Sequence, residues 1–358
     1  MPSLKEIKGR INSISSTLAI TSAMKMVAAA KLQKAQMAIQ NMLPYERRLH
    51  SMLLDLMGAM NISAAASEDG SVRGSGSAER GFDQSGDRLS LSNRHDLAGM
   101  DGAYSLMAQR EVRKVAIVAF ASNSSLCGAF NSNAIREATA VINEYRASGL
   151  RDSDIVVYSV GRKMAEAMKK LGFPSPADFT KMSDSPSYDA ASALAQELFD
   201  GFVSGRFDKV ELVYNHYKST SSQPTTRQTY LPLSLADATA DIQVGKITDS
   251  ASESDTNRGA EPVGAPVVRQ GSPTTEDLIV EPSKEELIAT LLPKVVRLRV
   301  FTTLLDSTAA EQAARTVAMQ LATDNGNDLL QELTLEYNKG RQQKITSEIL
   351  DLVGGSMQ

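Results

Sequence analysis

The residues in this chain that could do chemistry are few and lie far apart. The three histidines, His50, His95 and His216, are not spaced as metal ligands, and the single cysteine, Cys127, has no base beside it. No glycine-rich phosphate loop follows a strand-like segment, and no pair of carboxylates suggests acid–base catalysis. The sequence therefore predicts no catalytic residue, no metal site, no cofactor and no direct nucleotide binding. A small buried thiol is the favoured interpretation of Cys127.

The basic residues near the N-terminus suggest binding rather than catalysis. Up to Arg48 the sequence has eight lysines and arginines and only two acidic residues. A solvated helix face and a docking surface for an acidic partner both fit this excess. Met24 and Met26 flank Lys25, and such a pair serves either as core filling or as an adaptable sliding contact. Because almost no aromatic residue accompanies the basic ones, nucleic-acid binding is not favoured.

The elements that must position these residues are long helices at the two ends of the chain. Apolar residues recur at helical spacing from Ser283 to Leu352, and such a helix would be roughly 100 Å long. This length exceeds the core of a compact domain, so we expect a coiled coil or a shaft. Pro293 predicts a kink or a separate short helix before it, and residues 324–328 read locally as a turn. Gly340 costs about 1 kcal/mol relative to alanine.

The N-terminal helix is predicted from Ser3 to about Met42, with its apolar residues three and four positions apart. This is a heptad seam with a weak middle at Thr21 and Lys25, and its period predicts a left-handed supercoil. Pro44 is expected to bend or end the helix before the helical pattern briefly resumes. Complementary seams at opposite ends of a chain most simply pair antiparallel. The predicted seam consists of Leu4, Ile7, Ile11, Ile14, Leu18, Thr21, Lys25, Ala28, Leu32, Ala35, Ile39 and Met42.

Between these helices, residues from Val112 to about Leu233 alternate strand and helix patterns. The alternation predicts a small Rossmann-like α/β domain with a mixed sheet. Predicted strands cover 115–120, 155–158, 210–217 and 225–233, and the last two are expected to pair. Predicted helices cover 133–147, 161–171 and 190–202.

Two stretches of loop composition interrupt this plan. Residues 63–111 are rich in Ser, Gly and Ala, residues 236–282 are acidic, and we expect both to be flexible. The predicted order is a coiled-coil helix, a flexible insertion, an α/β domain, an acidic loop with a foot, and a second coiled-coil helix. Their predicted bounds are 1–58, 63–111, 112–235, 236–282 and 283–358.

The bulk properties exclude several classes of protein. The net charge of −4 gives no global signal for nucleic-acid binding. The chain starts without a signal-peptide pattern, and its longest apolar run, 115–121, is too short to cross a bilayer. We therefore expect a soluble protein that reaches a membrane only through a partner.

Several segments resemble the gamma subunits of F-type ATP synthases, of the bacterial type. The resemblance covers both predicted helices and the α/β domain but neither insertion, and such long terminal motifs are specific. The matching segments are ITSAMKMVAAAKL at 20–32, SLCGAFN at 125–131, LPL at 231–233, ARTVAMQLATDNG at 314–326 and LTLEYNKGRQQKITSEI at 333–349, followed by VGG at 353–355.

The resemblance implies the central stalk of a rotary motor. In that family, the terminal helices form an antiparallel left-handed coiled coil inside a ring of alpha and beta subunits. The α/β domain lies below, beside the epsilon subunit and on the membrane-embedded c-ring. Proton flow turns the shaft, which couples rotation to ATP synthesis or hydrolysis and does no chemistry itself. The expected location is peripheral, at the cytoplasmic face of the bacterial membrane.

The same resemblance assigns partner contacts to individual residues. Met24 and Lys25 match the level of an acidic lever loop of the beta subunits, which favours the docking interpretation of the basic helix. Arg341 and Gln342 match a pair that bonds a beta-subunit loop. Glu281 matches the foot that faces the c-ring. The resemblance also predicts helix, rather than a turn, through Gly326.

The sequence departs from the family pattern at two places. Residues 123–125 read Asn-Ser-Ser where the family usually has a charged pair, so the contact of that pair is not expected. The loop after Leu233 has no cysteine, unlike the redox insertion of chloroplast relatives, so we expect no thiol regulation.

Two functions of other classes remain open at this stage. One is a coiled-coil adaptor with an α/β head and no motor role. The other is a nucleotide-dependent enzyme built on the α/β domain, which would need a phosphate-binding loop.

Overall fold

The computed structural model describes residues 3–59, 106, 110–233 and 284–355. Two long helices, α1 (Leu4–Ala59) and α6 (Lys284–Gly355), flank a head formed by residues 110–233. The strands of the head are β1 (Val115–Phe120), β2 (Ile155–Val160), β3 (Lys209–Asn215) and β4 (Thr225–Leu231). Its α-helices are α2 (Phe130–Ala147), α3 (Arg162–Lys170), α4 (Thr180–Asp184) and α5 (Tyr188–Val203), with a short 3-10 helix at Asp152–Asp154.

Helices α1 and α6 pair antiparallel, as the seams predict. Leu4 lies against Gly340, Leu18 against Gly326, and Glu46 accepts a hydrogen bond from Thr302, so partner numbers fall along α6 as they rise along α1. Every one of the predicted seam positions on α1, from Leu4 to Met42, is buried or half-buried. A buried seam that repeats every 3.5 residues implies the left-handed supercoil.

Both helices continue through residues that locally predict a break. Pro44 lies inside α1 and Pro293 inside α6, so a helix end at the first and a separate short helix before the second are both wrong. Gly326 is helical, which confirms the expectation from the resemblance and overturns the local turn. Packing explains why the helices continue through the prolines. Leu49, which follows Pro44 in α1, and Leu292, which precedes Pro293 in α6, are both buried in the core of the head, and this burial outweighs the low helix propensity of proline.

The sheet is mixed, with strand order β2-β1-β3-β4. β1 runs parallel to β2 and β3, and β4 pairs antiparallel with β3. The mixed sheet and the pairing of the last two strands confirm the prediction. The strands differ from prediction mainly at their ends: β2 extends to Val160, and β3 stops at Asn215 because His216 begins the turn that returns to Pro224. The sequence patterns missed α4 and the 3-10 helix.

The two long helices, which together we call the shaft, form one layer of the head. On one face of the sheet, α2 and α3 bury Val141 and Met164. On the other face, Leu198 of α5 packs in the same core as Leu53 of α1 and Val296 of α6. The C-terminal part of α1 and the N-terminal part of α6 therefore belong to the core of the head.

The two predicted insertions lie mostly outside the described residues. Within the first of them, Leu106 is buried in the core, and its carbonyl accepts a hydrogen bond from the Leu233 amide. The division of the chain at the predicted domain bounds stays a prediction. Among the described residues, no helix is long and apolar enough to cross a membrane.

Candidate partner-docking surfaces of the shaft

The weak middle of the seam is a set of polar contacts between the helices. Lys25 Nζ donates to Gln320 Oε1 at 2.6 Å, and Thr323 Oγ1 lies 3.2 Å from Thr21 Oγ1. Polar groups in an apolar seam are costly unless they are paired, and here each has a partner. Lys25 is half-buried, so its cation is held at the edge of the coil beside half-buried Met24.

Arg341 and Gln342 lie in a different environment. Both are exposed on α6, just beyond Gly340, where the coil ends against Leu4. The side chain of Arg341 makes no hydrogen bond or ion pair with any residue that the structure describes. The sequence-predicted contact residues thus form two separate levels of the shaft. Glu281 lies outside the described residues.

The end of α6 is a single helix, a feature that sequence reasoning missed. Residues 341–355 continue beyond the start of α1 for about 22 Å. Ile345, Ile349 and Leu352 lie one turn apart there, and Leu352 is 74% exposed. Their spacing is visible in the sequence, but only pairing two helices of unequal length shows that α1 leaves this apolar stripe uncovered. An exposed apolar stripe of this kind marks an interaction site.

The head contacts the long helices through the loops at the carboxyl ends of its parallel strands. After β1, Ser124 Oγ accepts a hydrogen bond from Arg315 of α6 at 2.7 Å. Arg315 also pairs with Glu311 at 2.8 Å, and both side chains are buried. Burial raises the pKa of Glu311, and the Arg315 guanidinium opposes that rise.

The turn after β3 reaches both helices. His216 Nδ1 lies 2.6 Å from Asp306 Oδ2, and the Tyr217 amide donates to Asp306 Oδ1 at 2.8 Å. From α1, Gln36 Nε2 donates to the Tyr217 hydroxyl at 2.6 Å. His216, isolated in the sequence, therefore belongs to a junction that ties the head to α1 and α6 together.

Helix α6 fills the place where a doubly wound domain would bind a ligand. In open α/β sheets the ligand crevice lies at the carboxyl ends of the strands, where the strand order reverses, which here is between β1 and β3. Gly128 lies there with φ +57°, and a Cβ built on it would be 3.8 Å from the Ala318 side chain of α6. Cys127 is buried beside it, as predicted. No cluster of metal-ligating residues occurs within the described ranges.

Comparison with known proteins decides the family. Residues 3–357 match the ATP synthase family. The ATP synthase gamma chain of Phocaeicola vulgatus is 46% identical over 357 residues and that of Bacteroides thetaiotaomicron 45% over 358, each covering 100% of both chains. The chain belongs to the ATP synthase gamma-chain family. A chain of the Euglena gracilis mitochondrial ATP synthase, 18% identical, covers 99% of this chain and 93% of its own with a TM-score of 0.52, so the two share a fold.

The gamma-chain motifs occupy the surfaces described above. Segments 20–32 and 314–326 face each other across the coil through Lys25 and Gln320. Segment 333–349 forms much of the single-helix tip, and segment 125–131 forms the loop that packs against α6. Ser124, which immediately precedes segment 125–131, accepts the hydrogen bond from Arg315 of α6.

Proposed function

We propose that this chain is the central rotor shaft of an F-type ATP synthase and is not itself a catalyst. The observation that carries the proposal is the 72-residue helix α6, which outruns the 56-residue α1 and ends in an uncovered apolar tip. A partner that surrounds the tip would bury such a stripe. A sleeve of alpha and beta subunits fits this requirement.

The coupling rests on different contacts in different rotational positions. A shaft that presents unlike faces to three beta subunits stabilises a different conformation in each of them. Sites coupled in this way need no chemistry on the shaft, because the differential contact energy shifts their conformational equilibria. Proton flow through the c-ring would supply the rotation, and each step would change nucleotide affinity at the catalytic sites.

The partner contacts are proposed at two levels and at the foot. Met24 and Lys25 would meet the acidic lever loops of the beta subunits, and Arg341 with Gln342 would bond a beta-subunit loop near the tip. Hydrogen bonds to a charged group are each worth about 1.5–3 kcal/mol, enough for a releasable catch. Exposed Arg341 has no competing partner in the described residues, which supports this role.

The head would face the membrane side of the complex. We place Glu281 against the c-ring and the head beside the epsilon subunit, so that the chain is peripheral at the cytoplasmic face of the bacterial membrane. The junction of Asp306, Tyr217 and Gln36 ties the head to both long helices. It supports this arrangement, because a rotation applied to the head must be transmitted to both helices.

Reconstitution with cognate alpha and beta subunits tests the proposal. We expect one copy of the chain in a six-subunit ring, and ATPase activity that depends on it. Mass measurement of the complex and ATPase assays with and without the chain give the two readouts. If alpha and beta assemble but the chain does not join them, the shaft function is wrong and the adaptor hypothesis gains.

A further inference from the structure

One end of the head points away from the tip of α6. The parallel strands β1, β2 and β3 start side by side at this end, since their first residues are in register. Where β3 stops, the following turn contacts Asp306 of α6, and at the level where β3 starts, Tyr230 of β4 donates to the Val296 carbonyl. Residue numbers on α6 rise toward the tip, so the strand starts lie at the end of the head that is farther from the tip.

The turns and helix ends around the strand starts form one surface, which we call the basal face. A helix that connects two parallel strands returns the chain to the end where strands start, so α2, α3 and α5 end there. The Arg146 guanidinium, in the last turn of α2, accordingly lies 5.2 Å from the centre of the Phe173 ring, just after α3. Asp208, after α5, accepts a hydrogen bond from the Lys114 amide before β1. The basal face consists of residues 110–114, 146–154, 169–173 and 203–208.

The basal face has more positive charge than its acidic residues can balance. Each of those acidic residues is engaged within the face: Glu111 pairs with Arg113 at 2.6 Å, Asp152 with Arg146 at 2.7 Å and Asp154 with Arg151 at 2.9 Å, and Asp208 accepts from the Arg113 and Lys114 amides. The other cations of the face form no ion pair with any residue that the structure describes, although the whole chain has a net charge of −4. These free cations are Arg110, Lys114, Lys169, Lys170 and Arg206.

Two exposed apolar side chains lie among these cations. Leu171, which is 46% exposed, directly follows Lys169 and Lys170. Val203, which is 37% exposed, lies three positions before Arg206. Cations beside exposed apolar groups are typical of surfaces that bind anionic lipids, because the cations attract the phosphates while the apolar groups enter the headgroup layer. The composition of the basal face therefore fits a membrane surface.

We propose that the basal face binds the anionic headgroups of membrane lipids beside the c-ring. The inference rests on the proposed function, which turns this end of the head toward the membrane. A lipid surface presents the same phosphates at every rotational angle and exchanges them freely, so it balances the free cations without holding the rotor at one position. A stationary protein loop would meet the same cations once in each turn and would impose such a position.

Photo-crosslinking in the purified whole complex, reconstituted in lipid vesicles, tests this contact. A benzophenone amino acid replaces Leu171 or Val203 in separate variants, and Tyr188, also exposed but at the opposite end of α5, is the matched control. The vesicles contain phosphatidylcholine, either alone or with an equal part of phosphatidylglycerol. Mass spectrometry detects peptides that carry a phospholipid. We expect lipid adducts at Leu171 and Val203 with phosphatidylglycerol, and yields at least about fivefold lower at Tyr188 or with phosphatidylcholine alone.

Neutralised cations supply the second arm. Lys169→Gln with Lys170→Gln should lower the adduct yield at Leu171 at least about fivefold, since each cation near an anionic surface changes binding by about that factor. Lys169→Arg with Lys170→Arg should leave the yield unchanged. Crosslinks to c-ring peptides alone, no lipid adducts, equal adducts at Tyr188, or a yield insensitive to phosphatidylglycerol or to charge would each overturn the proposal. Co-purification of alpha and beta subunits with the chain reports separately on the shaft function.

Discussion

The two glycines inside α6 allow a direct test of how closely the shaft helices pack. In a helix interior, alanine is favoured over glycine by about 0.8–1 kcal/mol. A Cβ built on Gly326 would lie 2.6 Å from Leu18 Cδ2 and 3.2 Å from its Cγ, so the half-buried leucine would have to move. Overpacking of this kind costs about 1–3 kcal/mol. Gly326→Ala should therefore destabilise the protein by about 1 kcal/mol.

Gly340 is the matched control, because it differs from Gly326 mainly in the space available for an added methyl group. A Cβ built there would lie 3.2 Å from Leu4 Cδ2, the far end of a side chain in the first turn of α1. A small shift of Leu4 relieves this contact, so the helix propensity decides the sign. Gly340→Ala should stabilise the protein by about 0.5–1 kcal/mol, and the two variants should differ by about 2 kcal/mol.

Urea unfolding followed by circular dichroism measures both changes as shifts of the transition midpoint at constant slope. Adding Leu18→Ala to Gly326→Ala should reveal a favourable coupling of about 1 kcal/mol, because the truncated side chain no longer meets the new methyl group. If Gly326→Ala stabilises the protein as much as Gly340→Ala does, the close approach of α1 is not the reason for a glycine at this position.

Three further substitutions separate partner contacts from stability. Arg341→Ala should lower ATPase rate or coupling about tenfold or more in the complex while leaving urea unfolding within about 0.5 kcal/mol, since the residue is exposed; unchanged turnover and proton pumping would remove the proposed catch. Tyr230→Phe should cost about 1 kcal/mol in the same unfolding assay, because the buried hydroxyl donates to the Val296 carbonyl of α6 at 2.9 Å; no change would show that this bond is not needed. Burial alone would raise the pKa of Glu211, but hydrogen bonds from Arg227, Lys209 and Tyr145 outweigh it and leave that pKa below its ordinary value. The ionised Glu211 therefore stabilises the fold above the unfolded-state pKa of about 4.3, and this contribution is lost as pH falls through the lower folded pKa. Glu211→Gln should reduce stability at neutral pH and flatten its decline below about pH 4, and a profile parallel to that of the unaltered protein would contradict this.

Proposed contact residues could be named from sequence only where a motif carried them. Met24, Lys25, Arg341 and Gln342 came from resemblance, and their contacts with other subunits remain proposals. Sequence reasoning did not find the junction at His216 and Asp306, because the two residues are ninety positions apart and neither belongs to a recognisable spacing. It also did not find the exposed tip, because an apolar stripe looks the same in sequence whether or not a partner covers it.

The sequence by itself determined the periodic features of this protein. The 3.5-residue spacing from Leu4 to Met42 fixed which face of α1 is buried, and strand and helix patterns fixed the α/β head, because both follow from the repeat of the backbone. Tertiary structure decided the rest. Pro44, Pro293 and Gly326 are tolerated in continuous helices because packing against the other helix and the head outweighs local preference. Lys25 fits an apolar seam because Gln320 arrives opposite it from the far end of the chain, a pairing that no local pattern contains.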